Sequence, residues 1–156
     1  MNIDSTGVVG AGFMGRDIAG LLANAGYDVT LVDVDPDALS DARRFHESGL
    51  VSELQDSDIE TASDSATRIS YETGLASLSD VDFVVEAVPE QLDLKRDLVS
   101  ELEGVLRREA VIGTNTSSLT PGDIATALTD PGRVVLFHFA NPALHRDIVE
   151  ISGDQA

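Results

Sequence analysis

Six residues, Gly10-Ala11-Gly12-Phe13-Met14-Gly15, restrict what this chain can fold into more than any other stretch. They read G-x-G-x-x-G. A short apolar run, Gly7-Val8-Val9, precedes them, and the apolar positions Met14, Ile18, Leu21, Leu22 and Ala25 then recur at three- and four-residue spacing up to Gly26. A strand turning through this motif into a helix uses each glycine differently. The first permits the tight turn, the second lets the backbone approach a pyrophosphate, and the third lets the helix pack close to the strand. Phe13 and Met14 fall inside the same turn, where the helix N-terminus offers N–H groups and the positive end of a dipole to an anion.

The second part of a dinucleotide fingerprint follows. Tyr27-Asp28-Val29-Thr30-Leu31-Val32-Asp33 reads as a buried strand ending in an acid, with Asp33 placed 23 residues after Gly10. A carboxylate about 20 residues beyond the motif accepts from the adenosine ribose. Asp35 and Asp37 follow, and no Lys or Arg occurs until Arg43. A 2′-phosphate would meet three carboxylates, so the pattern favours NAD over NADP. The competing reading, a glycine-rich turn that binds nothing, leaves the strand, helix and acid in this order without a reason.

The rest of the chain alternates between the two periods. Asp35-Pro36 marks a helix start with Asp35 as N-cap, and the helix runs to about His46 before Gly49 interrupts it. Residues 55–65 read as a polar loop or short solvated helix, and 67–71 and 81–88 as strands. A helix from Glu90 carries Leu94, Leu98, Leu102, Val105 and Leu106 as its buried stripe. Residues 110–114 read as a strand, 121–128 as a short helix, and 134–139 and 148–151 as strands. Strands alternating with helices imply an α/β, Rossmann-like, doubly wound and mostly parallel sheet with helices on both faces. The 156 residues suit one dinucleotide-binding domain over 1–156.

Composition excludes several classes. The net charge of −18 disfavours nucleic acid and anionic membrane as partners. There is no cysteine, hence no disulfide, thiol nucleophile or thiolate metal site, and no metal is expected. The start of the chain lacks a basic segment followed by an apolar one, which argues against a secretory signal and for a cytoplasmic protein. Eighteen aspartates against ten glutamates, with Lys95 the single lysine, resemble adaptation to high salt, where screening relieves self-repulsion.

Polar residues collect where strands of such a sheet end: Glu86 and Glu90, then Asn115-Thr116-Ser117-Ser118, then His138 and Asn141, then Glu150. Ligands bind beyond those carboxyl ends. Together with the glycine turn, Val84-Val85-Glu86-Ala87-Val88-Pro89-Glu90 with Lys95, Asn115-Thr116-Ser117-Ser118-Leu119, His138-Phe139-Ala140-Asn141-Pro142 and Val149-Glu150 resemble the NAD-binding domain of the L-3-hydroxyacyl-CoA dehydrogenases over about residues 8–151.

The resemblance implies an NAD-dependent oxidoreductase of fatty-acid β-oxidation that takes hydride from the 3-hydroxyl carbon of an acyl-CoA. In that reading His138 is the base and Glu150, twelve residues on, orients and stabilises its ring. Ser117 holds the substrate hydroxyl, Asn141 supports the histidine region and Asn115 places nicotinamide and substrate. Glu90 and Lys95 lie along the cofactor side. Glu86 reads equally well as structural, and Lys95 as a surface charge; His46 and His145 read as solvated. Ala140 and residues 143–147 depart from the family pattern beside the substrate site, and the segment between Asp33 and Glu86 is short. The family continues into an all-helical domain that completes the cleft and forms a homodimer. Here that domain is expected as a further segment or a separate subunit. Two alternatives stay open: a related dehydrogenase of a small hydroxy acid of the gulonate or carnitine type, and a non-catalytic NAD-binding module.

Overall fold

The computed structural model describes residues 3–54, 64–146 and 148–153. The chain runs β1 (Ser5–Val9), α1 (Phe13–Asn24), β2 (Asp28–Val32), α2 (Pro36–Ser48), α3 (Leu50–Glu53), β3 (Ile69–Glu72), β4 (Phe83–Glu86), α4 (Leu92–Val105), β5 (Val111–Thr114), α5 (Pro121–Ala125), β6 (Val134–Phe139) and β7 (Val149–Gly153). One sheet forms in the order β3-β2-β1-β4-β5-β6-β7. Every neighbouring pair is parallel except β6 with β7. The expected doubly wound sheet is present. The strand order reverses between β1 and β4, and that switch point opens a crevice at the carboxyl ends.

Side chains alternate across the strands and build a core on each face. Val8, Val29, Leu31, Phe83 and Val85 pack with α1 and α2, whereas Val9, Val32, Val84 and Ile112 pack with α4 and α5. Strands buried on both faces read as continuous apolar runs, and Phe83-Val84-Val85 of β4 and Val111-Ile112 of β5 do so. Among the described residues no helix is long and apolar enough to cross a membrane.

Local signals fix most boundaries. Asp35 caps α2 by accepting from the Asp37 amide at 2.9 Å, with Pro36 in the first turn. Gly49 divides α2 from α3. The expected segment at 55–65 lies mostly outside the described residues. The first strand of the 67–71 expectation begins later, at Ile69, after a 3-10 turn over Ala66–Arg68. The helix expected from Glu90 begins at Leu92, because Gln91 is still extended (φ −131°, ψ 117°). β4 is shorter than residues 81–88 and α5 shorter than 121–128.

Two side chains stand where the sequence did not put them. The buried face of α4 is Lys95, Val99 and Leu102, continuing to Leu106, while Leu94 is 40% exposed. Leu102 and Leu106 keep their expected places in the core, whereas in the first turns Lys95 and Val99 take the fully buried positions in place of Leu94 and Leu98. His46 is buried rather than solvated. Its Nδ1 meets the Tyr71 hydroxyl at 2.8 Å and its Nε2 the Arg16 carbonyl at 2.8 Å. The carbonyl can only accept, so Nε2 carries the proton and the Tyr71 hydroxyl donates to Nδ1. Burial holds the His46 pKa below its ordinary value. His145 is exposed as expected, 3.1 Å from a Glu53 carboxylate oxygen.

Candidate functional site

The glycine turn sits between the carboxyl ends of β2 and β4. Gly10 adopts φ +103°, and a Cβ there would meet the Ala87 carbonyl oxygen at 2.7 Å. Its amide donates to the Val32 carbonyl at 2.8 Å. A Cβ on Gly15 would reach 1.7 Å from the Gly10 carbonyl oxygen, so α1 lies against the turn as closely as backbone allows. Gly12 caps α1 with no side-chain hydrogen bond, no acid stands in the first turn, and nothing lies within 4 Å of where its Cβ would be. This is an open cradle over an uncapped helix N-terminus, which fits the pyrophosphate of a dinucleotide. Phe13 is exposed at its rim, with the Arg16 guanidinium 5.0 Å from its ring, and Met14 is half-buried against the core.

Asp33 follows β2 beside this turn. One carboxylate oxygen accepts from the Ala11 amide at 2.6 Å and the other from Asp35 at 2.9 Å. The acid thus fixes the turn, and each oxygen keeps a lone pair with which to accept a ribose hydroxyl.

Strand register sets His138 and Glu150 opposite each other. β6 and β7 form an antiparallel hairpin in which His138 and Glu150 are direct partners. Nδ1 of His138 lies 3.0 Å from Oε2 of Glu150, the histidine side chain 25% exposed. A carboxylate only accepts, so Nδ1 carries the proton and Nε2 is left to take up or release another. Asn141 lies in the turn after β6 and is exposed, with no side-chain bond to either member of the pair among the described residues.

β5 ends in the loop that carries Asn115 and Ser117. The Asn115 amide donates to the Glu86 carbonyl at 2.9 Å, and its side-chain oxygen accepts from the Phe139 amide at 2.9 Å. Asn115 therefore joins the end of β4 to the end of β6 one residue beyond His138. Ser117 is exposed, and its amide donates to Oε1 of Glu90 at 3.2 Å.

Glu90 and Lys95, which the resemblance set along the cofactor side, form an ion cluster with Glu86 at the carboxyl end of β4. Lys95 is fully buried, its ammonium 2.7 Å from Glu86 and 3.3 Å from Glu90. Glu86 is fully buried as well and accepts from the Val88 amide at 2.8 Å and the Thr114 hydroxyl at 2.7 Å. Removing one partner of such a pair leaves a buried charge and costs about 3–5 kcal/mol. Burial alone would raise the Glu90 pKa. The hydroxyls of Thr116 and Ser118 and the Lys95 charge outweigh it and hold the carboxyl at about 2. Thr114 and Thr116 were missed in the sequence. Both are buried hydroxyls next to strand-end acids, and the run Thr114-Asn115-Thr116-Ser117-Ser118 is the signal that pointed to them.

The sequence profile of the NAD-binding domain of 3-hydroxyacyl-CoA dehydrogenase matches residues 5–156. The chain is 34% identical over 151 residues to a 3-hydroxybutyryl-CoA dehydrogenase of Bradyrhizobium diazoefficiens, covering 96% of this chain and 52% of that protein. It is 36% identical over 150 residues to the peroxisomal bifunctional enzyme of Cavia porcellus, covering 96% of this chain and 21% of that one. The crystal structure of 3-hydroxybutyryl-CoA dehydrogenase from Escherichia coli superposes with a TM-score of 0.89 at 32% identity, over 97% of this chain and 32% of that one. The chain thus spans about half, or less, of the length of these relatives.

Proposed function

Because this chain belongs to the family of 3-hydroxyacyl-CoA dehydrogenase NAD-binding domains, we propose that it serves the NAD-dependent oxidation of a 3-hydroxyacyl-CoA to the 3-oxoacyl-CoA, with His138 and Glu150 as its proton-transfer pair. The observation that carries this reading is the 3.0 Å contact between His138 and Glu150 across paired strands. A module that only senses NAD has no use for an imidazole held in one tautomer by a carboxylate.

NAD, when bound, supplies the hydride acceptor. The uncapped end of α1 holds its pyrophosphate, and Asp33 accepts from the ribose. Nε2 of His138 takes the proton of the 3-hydroxyl as the C3–H pair leaves as hydride, and the C–O bond becomes a carbonyl. Glu150 stabilises the imidazolium that results and keeps Nδ1 occupied, as the acid of a triad does. An imidazole suits this exchange because its ordinary pKa, roughly 6.5, lies near working pH. The Ser117 hydroxyl holds the substrate oxygen. Asn115 fixes the distance between the serine loop and the histidine strand through its bond to the Phe139 amide.

The acyl-CoA itself needs a second wall. Ile148, just before β7, and Ile151 within it are 55% and 68% exposed on either side of Glu150 in the sequence. We take this apolar edge as the surface met by the all-helical domain that the family resemblance implies, supplied by a further segment or a separate subunit. Replacing His138 by Ala tests the reading: hydride transfer should be lost while NAD binding is kept. Loss of both, or of neither, would sink it.

A further inference from the structure

We propose that Leu144 is a positioning residue of this site: seated in a small core with Leu50 and Leu54, it anchors the loop between β6 and β7 and thereby keeps Glu150 opposite His138. This rests on the reading of that pair given above.

Little else fixes β7. It lies at the edge of the sheet, pairs with β6 alone, and all five of its residues are exposed. A strand that buries neither face has a weakly specified register. A tight turn can set the register of a hairpin instead. Here the Ala140 amide donates to the Ile148 carbonyl at 3.2 Å, and the loop between them, residues 141–147, is longer than the usual span of about two to five residues.

Register decides whether the pair exists. In the observed ladder Phe137 faces Ile151, His138 faces Glu150 and Phe139 faces Val149. A slip of one residue would set Val149 or Ile151 against the histidine, and a slip of two would set Ile148 or Ser152 there. None of these carries a carboxylate, and the one-residue slip also sends Glu150 to the other face.

The loop is held from below by its own side chains. Ala143 is buried in the core that α1 shares with the sheet. Leu144 packs with Leu50 and Leu54, and Leu21 of α1 and Phe45 of α2 lie alongside. Gly49 makes this seat by ending α2, after which Leu50 opens α3 fully buried. His145 adds the contact to Glu53, but both side chains are more than two-fifths exposed, and surface pairs of this kind contribute little. The anchor is therefore the apolar seat rather than the ion pair.

The test is the tautomer of His138, read from imidazole nitrogen shifts by NMR on the whole chain without ligand, at about pH 8 where imidazoles of ordinary pKa are neutral. Exchange of the Ala140 amide is followed alongside. Leu144→Ala is compared with Leu128→Ala, the same truncation at the same 9% exposure in the core on the other face of the sheet. It is also compared with Leu144→Met, which refills the seat at similar volume. His46, whose Nε2 proton goes to the Arg16 carbonyl, serves as internal standard. In wild type, Leu128→Ala and Leu144→Met, His138 should carry its proton on Nδ1. In Leu144→Ala the proton should move largely to Nε2, the form that an imidazole in water prefers. The Ala140 amide should then exchange about tenfold faster or more, within the scale of a leucine truncation. Rates at Val8 and Leu31 should rise no more than they do in Leu128→Ala. Should Leu144→Ala fail to fold, the smaller truncation Leu144→Val decides by the same comparison. A folded truncation that leaves His138 protonated on Nδ1 overturns the proposal. So does an equal shift in Leu128→Ala, because loosening anywhere would then suffice, and so does an Nε2 proton in wild type. Neither NAD nor substrate is present, so a failure of the dehydrogenase reading shows separately, as absent turnover with His138 still held on Nδ1.

Discussion

Replacing the glycines of the turn by alanine separates what the turn does for the fold from what it does for a bound dinucleotide. A Cβ on Gly15 would stand 1.7 Å from the Gly10 carbonyl oxygen and 2.9 Å from its carbon, and neither belongs to a side chain that can swing aside. Non-bonded heavy atoms settle at about 3.5 Å, so α1 must retreat from β1 by more than about an ångström. It would do so across a core that includes Ile18 and Ala19, both fully buried. Overpacking costs about 1–3 kcal/mol, and a backbone clash belongs at or above the upper end. At Gly12 the same methyl meets nothing within 4 Å, and φ −66°, ψ −173° suits alanine. The loss of a glycine N-cap and the reduced freedom of the unfolded chain act in opposite directions, so the net change stays within about 1 kcal/mol.

The methyl at Gly12 nevertheless fills the space above the uncapped end of α1. Gly12→Ala should therefore weaken NAD binding by about tenfold or more, ~1.4 kcal/mol, on a fold of nearly wild-type stability. Urea denaturation and calorimetry with NAD read the two quantities independently. Equal destabilisation by Gly12→Ala and Gly15→Ala, or wild-type NAD affinity in Gly12→Ala, would refute the reasoning.

Three further outcomes are expected. NAD should bind more tightly than NADP, and Asp33→Ala should weaken NAD binding by ~1–3 kcal/mol while narrowing the preference; equal calorimetric affinities in wild type would contradict the role of Asp33. With a net charge of −18, the melting temperature should climb steeply from ~0.01 M to ~1 M KCl as the Debye length falls from about 30 to about 3 Å; a flat profile would make the acidic surface incidental. In ~1 M KCl, stability should fall in two stages on acidification. Burial depresses the His46 pKa, so the unfolded chain binds a proton first and stability is lost as pH drops below ~6.5. Glu90, held at about 2 in the fold, contributes stability that is complete above its ordinary 4.5 and is lost between there and about 2. His46→Gln should remove the upper stage alone, and urea titrations that show no slope between pH 7 and 5 would count against it.

Much of the fold was written in the chain's periodicity. β6 occupies residues 134–139 as read, because an apolar run bounded by Pro131-Gly132 and Asn141-Pro142 leaves little latitude. The α2 start was legible in Asp35-Pro36, since N-cap chemistry is local. His138 and Glu150 were legible as a pair through the resemblance, and the hairpin gives the spacing its physical reason: a twelve-residue separation places them opposite each other across β6 and β7. What was not legible depends on partners far apart in sequence. A helix reading sets lysine outside and leucine inside, so it chose Leu94 over Lys95. The burial of Lys95 rests on Glu86 in β4 and Glu90 in the turn before α4, with Thr114 of β5 completing the shell around Glu86. His46 was read as solvated for the same reason, because Tyr71 of β3 and the Arg16 carbonyl of α1 supply its bonds. Strand ends moved by one or two residues, β4 losing two at each end of 81–88 and β7 running on to Gly153, and no side-chain pattern marks where the ladder stops.

The most direct test of the account is the rate of NADH formation from NAD and a short-chain L-3-hydroxyacyl-CoA, followed by absorbance in single turnover, with the half of a longer relative that this chain does not match supplied to it. The wild-type chain should form NADH slowly alone and orders of magnitude faster with that half present, because positioning in the closed cleft accounts for ~7–11 kcal/mol of such a barrier. His138→Ala should lower the complemented rate by about a hundredfold or more, the scale of general base catalysis, with NAD affinity unchanged. NADH formation at the wild-type rate in His138→Ala would contradict the assignment of the proton to this histidine.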